Sequence, residues 1–228
     1  MLRFYFHRTP NPMKVALLLE ELGIPYEVVP VDTYKGEQHA PAFLAINPNG
    51  KTPAIEDDGV RVFDSNAILL YLAEKHGAFL GDPTDRGELL SWLFWIASGL
   101  GPFSGQWVHF QTAGAAEGGE YAKRRYRFEA HRHYRVLDQH LAGRGHIVGE
   151  TYTIADMSGW AWIRMHQRVL GEGALSAYPE IERWFEGVNA RPAVTRAVAI
   201  PDNFAFKATV DDEAKQSLFP SNYVAHTA

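Results

Sequence analysis

The sequence predicts a two-part chain: an α/β domain of roughly 80 residues, followed by an all-helical domain. Three observations carry this expectation. Short strand-like runs alternate with a clear helical period over residues 2 to 63. No strand signal follows Asp82-Pro83. The 228 residues are 46% hydrophobic and 13% aromatic, enough for a packed core.

Leu2 to Phe6 reads as a strand. From Pro12, the apolar positions Val15, Leu18, Leu19 and Leu22 follow helical spacing, and Gly23 ends that helix. Tyr26 to Val31 is β-branched and strand-like, and Pro41 to Ile46 is a short helical piece. Thr52 to Glu56 and Val60 to Phe63 bracket an Asp57-Asp58-Gly59 turn, which makes them an antiparallel hairpin. Asp64-Ser65 opens a helix through Ala67 to Leu72. Strands flanking a helical crossover are expected to be parallel and right-handed. The order β-α-β-α-β-β-α fits a thioredoxin-like domain over residues 1–82.

From residue 83 to 200 the pattern is helical, with helices expected near 84–111, 119–142, 153–170 and 178–190. Gly99-Leu100-Gly101-Pro102 should kink the first of these. Residues 201–228 are irregular but carry Phe204, Phe206, Phe219 and Tyr223, so this extension is expected to strap onto the body. Thr153 precedes a helix with Asp156 at its third position, flanked by Tyr152 and Met157. This capping box with a hydrophobic staple is a folding device, not part of a binding site.

A formal net charge of −5 gives no whole-chain attraction to nucleic acid or anionic membrane, so neither is an expected partner. The chain has no cysteine, so any reacting thiol must arrive with a substrate. The N-terminus lacks an apolar signal core and no run is long enough to span a bilayer, which makes the cytoplasm the expected location. His131 and His133 lie two apart on a helix, on different faces, and no metal site is expected.

The chemistry concentrates in the first third. Thr9-Pro10-Asn11 and Asp64-Ser65 each open a helix, and Thr52-Pro53 starts a strand edge between them. Helix-start amides and short polar side chains suit an anion, so the combination reads as a site for a small anionic peptide. In this reading Ser65 and its free N–H groups face a substrate carboxylate, while Asp64 holds an ammonium.

Longer matches point the same way. They include Lys35-Gly36-x-Gln38, Asn47-Pro48-Asn49-x-Lys51-x-Pro53-Ala54-Ile55, Ser65-x-Ala67-Ile68-Leu69-Leu70-Tyr71-Leu72-Ala73-Glu74-Lys75 and Trp92-Leu93-Phe94-Trp95. Gly99-Leu100-Gly101-Pro102, Gln106, Arg125-Tyr126 and Thr153-Ile154-Ala155-Asp156 follow. Across nearly all of residues 1 to 200 the chain resembles the glutathione transferase superfamily. It is most similar to its nu class of bacterial disulfide-bond oxidoreductases and to the related fungal nitrogen-regulator domains.

The resemblance implies a glutathione transferase fold, glutathione as co-substrate and a homodimer. It places Thr9 and Asn11 beside the glutathione sulfur, where a donated hydrogen bond favours thiolate. It makes the proline of Thr52-Pro53 cis, with Thr52 offering its backbone to the cysteinyl part, and brings Gln38 and Lys51 to the glycyl carboxylate. Arg125 is directed toward a second substrate, in a pocket expected from aromatic residues of the helical domain such as Trp107 and Phe110, with the tail as a further candidate wall. The implied reaction is glutathione-dependent reduction of a small disulfide. Conjugation or peroxide reduction on small electrophiles, or a non-catalytic regulatory module, are the alternatives. The sequence departs from the class at Pro12, which removes a backbone donor near the sulfur, and at Asp64, one methylene shorter than the Glu usual there.

Overall fold

A computed structural model describes residues 1–116 and 118–222. Tyr223, one of the aromatic residues of the expected strap, lies outside the described residues.

Strand β1 (Leu2–Phe6) runs parallel to β2 (Tyr26–Pro30), in register from Leu2 opposite Tyr26 to Phe6 opposite Pro30. Helix α1 (Pro10–Leu22) is their crossover. It ends as predicted at Gly23, which takes a left-handed φ of 62° and returns its N–H to Leu19. After the short α2 (Pro41–Leu44), β3 (Ala54–Asp57) pairs antiparallel with β1 and then with β4 (Val60–Phe63). The sheet order is β2-β1-β3-β4. The expected parallel relation therefore holds across α1 and fails across α2. At four residues α2 rises only about 6 Å, too short to act as a crossover helix, and the chain enters β3 from the opposite end.

Helix α1 begins at Pro10, two residues before the prediction, because proline at the first helical position loses no bond the helix would make. It is buried from Pro12 to Leu19, not along one stripe. The sheet takes one side, and α3 (Ser65–His76), α7 (Ile154–Ile163) and α10 (Pro192–Ala199) take the others. This burial encloses Lys14 along with its apolar neighbours.

The predicted kinked helix near 84–111 is α4 (Arg86–Trp95), a π-helical turn over Ile96–Leu100, and α5 (Gly101–Gln111). Glycine is required there by close approach: a Cβ on Gly101 would lie 2.8 Å from the Trp162 indole nitrogen, and one on Gly99 2.3 Å from the His133 ring. Helix α6 (Gly119–Leu141) matches its prediction within a residue. The expected 153–170 helix is divided into α7 and α8 (His166–Leu170), and α9 (Pro179–Asn189) follows. Two helices were not foreseen: α10, and α11 (Asp212–Leu218) within the segment read as irregular. Helix α10 is tied back to α1 by Arg191 with Glu21 and Arg196 with Glu20.

The predicted capping box is present. Thr153 Oγ1 accepts from the Ala155 N–H at 3.2 Å, and Asp156 Oδ2 accepts from the Thr153 N–H at 2.9 Å. Asp156 Oδ1 also accepts from the Ile147 N–H and the Trp184 indole, so this buried carboxylate binds a loop and two helices.

The segment after α10 does strap onto the body. Phe206 packs edge-on against His7, 4.8 Å between ring centres, and the Lys207 N–H donates to Asp32 at 2.7 Å. Beyond it, α11 lies against the loop that carries Gln38 and His39, and Phe219 meets His109 at 4.5 Å.

Candidate functional site

Two cavities, of about 290 Å³ and about 420 Å³, share Asn11 and Lys51 and so form one groove between the sheet domain and the helices. Asn11 and the Asp64-Ser65 helix start face α5 and Trp162 across the smaller cavity. Thr9, Gln38 and Thr52 line the larger one together with Leu218, Phe219 and Pro220 of the strap.

Asn11 occupies the junction. Its Oδ1 accepts from the Trp162 indole N–H at 3.0 Å. An indole nitrogen only donates, so the bond fixes which side of the amide is oxygen and leaves the Asn11 NH2 free to donate elsewhere. Asn11 is not a helix cap. Thr9 takes the cap position with extended backbone, and its hydroxyl makes no cap bond. The expected amides of this helix start are scarce: with Pro10 first and Pro12 third, only Asn11 has an N–H among the first three helical residues.

The Thr52-Pro53 bond is cis, as the resemblance implied. Pro53 is buried, and Thr52 borders the larger cavity.

Asp64 caps α3 from a left-handed φ of 71°. Its Oδ1 accepts from the Asn66 N–H at 2.9 Å and the Ala67 N–H at 3.2 Å. Two amides expected to face a substrate carboxylate are therefore already bonded, because a carboxylate at the cap position is the nearest acceptor. The Ser65 N–H and hydroxyl remain as groups that can serve a ligand, and the second oxygen of the exposed Asp64 carboxylate has no hydrogen bond among the described residues. Ser65 Oγ accepts from Lys14 Nζ at 3.2 Å.

At the other end, Gln38 is buried and donates from Nε2 to the Ser217 carbonyl at 2.8 Å, while its Oε1 is buried without a partner. Lys51 is exposed and borders both cavities, with no ion pair among the described residues. Asn47 holds its loop by donating to the Lys51 carbonyl at 2.6 Å.

The three residues expected around a second substrate do not border either cavity. Arg125 is exposed and pairs with Glu129, one turn on, at 3.3 Å. Trp107 donates its indole N–H to the Val169 carbonyl, and Phe110 stacks on Tyr126 with centroids 5.1 Å apart. The walls are supplied instead by Gln106, Trp162, Phe219 and Pro220.

Lys14 and Trp162 were missed from the sequence. Lys14 is 1% exposed and lies beside Ser65. Burial pushes its ammonium down to about 7, with Asp64 pulling the other way. Its one signal is a cation in the run Met13 to Leu19, otherwise wholly apolar. Among the described residues, no helix is long and apolar enough to cross a membrane, and no group of three or more His, Asp or Glu side chains could hold a metal ion.

Residues 1–74 match the glutathione S-transferase N-terminal domain and residues 102–192 the glutathione S-transferase C-terminal domain. The chain belongs to the glutathione S-transferase family. It is 42% identical over 225 residues to the disulfide-bond oxidoreductase YfcG of Escherichia coli, covering 95% of this chain and all of that one. A glutathione transferase family member from Pseudomonas fluorescens, solved with two glutathiones bound, superposes with a TM-score of 0.81. It is 39% identical, over 86% of this chain and 92% of that one. A glutathione transferase from Pseudomonas putida, with one glutathione disulfide bound per subunit, gives a TM-score of 0.80 at 36% identity, over 88% and 91%.

Proposed function

We propose that this chain is a glutathione-dependent disulfide-bond reductase of the nu class, acting in the cytoplasm as a homodimer on a small disulfide. The observation that carries the reading is the orientation of Asn11. Its amide oxygen is held by Trp162, leaving the NH2 to donate within a groove that contains no protein thiol. The oxidoreductase relative and the neighbours holding two glutathiones or glutathione disulfide support it.

In this reading Thr9 and Asn11 are the catalytic pair. Donation from the Thr9 hydroxyl and the Asn11 amide favours the glutathione thiolate over the thiol. Asp64 and Ser65 hold the γ-glutamyl end, Thr52 the cysteinyl backbone, and Lys51 with Gln38 the glycyl carboxylate. The thiolate attacks one sulfur of the substrate disulfide, forming a mixed disulfide and expelling the other half as a thiolate that takes up a proton. A second glutathione thiolate attacks the glutathione sulfur of that mixed disulfide, which releases the remaining thiol and oxidised glutathione. Two glutathiones are oxidised for each disulfide reduced.

We further assign residues 1–82 to the glutathione-binding domain, 83–200 to the helical domain and 201–228 to the strap. The experiment is reduction of 2-hydroxyethyl disulfide by glutathione, followed as oxidised glutathione formed. Asn11→Ala removes a hydrogen bond to a charged sulfur, about 1.5–3 kcal/mol, so turnover should fall roughly ten- to a hundredfold. Tight glutathione binding with no turnover of any disulfide would exclude the reductase reading.

A further inference from the structure

Lys14 is a buried cation without an ion-pair partner among the described residues. Its ammonium donates to Ser65 Oγ at 3.2 Å and to Asn66 Oδ1 at 3.1 Å. Asn66 is fixed in turn, accepting from Ser158 Oγ at 2.7 Å and donating to the Leu93 carbonyl at 2.7 Å. Burying a charge without a counter-ion costs more than two hydrogen bonds to neutral acceptors return, so fold stability does not account for this lysine.

Its effect on Ser65 does. An ammonium only donates, so the bond occupies Ser65 Oγ as an acceptor. The hydroxyl hydrogen must then find another acceptor, and among the described residues Ser65 makes no other side-chain hydrogen bond. Ser65 and Lys14 both line the smaller cavity, where Lys51 and Asp64 are the other ionisable groups. With Lys51 assigned to the glycyl carboxylate, this end of the lining carries one cation, the charged Lys14, and one anion, Asp64. This balance suits a ligand end that presents a carboxylate next to an ammonium, with Asp64 for the ammonium.

We propose that Lys14 is a positioning and specificity residue. It turns the Ser65 hydroxyl toward the cavity and places positive charge behind it, so that the subsite selects ligands bearing an α-carboxylate beside an amine. The inference rests on the glutathione reading and adds to it a residue that acts through Ser65. The buried ammonium is held near neutrality by desolvation, and an arriving carboxylate favours its charged form.

The test is titration calorimetry on the full chain with two ligands. One is S-methylglutathione. The other is the same compound with 4-aminobutyryl in place of γ-glutamyl, which keeps the amine and lacks the α-carboxylate. Lys14→Met should weaken S-methylglutathione about tenfold or more and leave the analogue within about twofold, since it removes the bond that orients the Ser65 hydroxyl and the positive charge behind the carboxylate. The melting temperature should hold or rise. Ser158→Ala, which loosens the same network away from Ser65, should not separate the two ligands. Lys14→Gln serves the same comparison should the methionine variant not fold. Equal weakening of both ligands, or of neither, overturns the inference. Absence of wild-type binding to S-methylglutathione overturns the glutathione reading itself.

Discussion

Asn11 and Trp162 are 151 positions apart in sequence, yet one hydrogen bond between them decides which half of the Asn11 amide is free. Asn11→Asp separates the two functions of that side chain. The carboxylate still accepts from Trp162, but it puts negative charge where a thiolate must form, which raises the thiol pKa. The expected outcome is a nearly unchanged melting temperature and turnover at pH 7 reduced about tenfold or more, with the pH–rate profile moved to higher pH. Equal loss of stability and activity would mean that Asn11 acts mainly in packing. Thr9, Asn11, Asp64 and Ser65 were legible because each sits at a helix start, which is a local pattern. Lys14 and Trp162 were not, because a lysine in an apolar helix reads as exposed until α3, α7 and α10 close around it.

At the scale of elements, the box before α7 was readable since all its partners lie within four residues. The remaining bonds of Asp156, from the Ile147 N–H and the Trp184 indole, depend on how a loop and α9 pack. Asp156→Ala should therefore cost more than the cap alone. It removes the acceptor of four buried donors, the Thr153 N–H and hydroxyl, the Ile147 N–H and the Trp184 indole, at about 1–3 kcal/mol for each left unpaired, whereas Thr153→Ala should cost about 1 kcal/mol. Urea unfolding of the two variants measures the difference, and similar losses would show that Asp156 is only a cap. The parallel expectation for β3 failed because strand direction depends on which end of the sheet the chain re-enters. Helix α11 was missed for a related reason: at seven residues it gains little from intrinsic propensity and is held by contacts such as Ser217 with Gln38.

For the whole molecule, the homodimer is the claim most open to direct test. Phe94 is 69% exposed on α4, beside an apolar hollow of about 300 Å³ lined by Leu70, Leu90 and Leu93. An exposed aromatic next to such a hollow suits a second copy of the chain. Sedimentation at micromolar concentration should give twice the chain mass, and Phe94→Glu should give monomer. A monomeric wild type would refute the dimer. The sequence alone determined the division into a sheet-bearing half and a helical half, the helix starts that bear the polar groups, and the absence of a protein thiol. These depend on local periodicity and composition. Only the tertiary structure decided that Lys14 lies behind Ser65, that Trp162 orients Asn11, and which residues of the strap border the groove. Each of these depends on contacts between segments far apart in the chain, and local sequence energies do not encode which distant side chain will fill a given space.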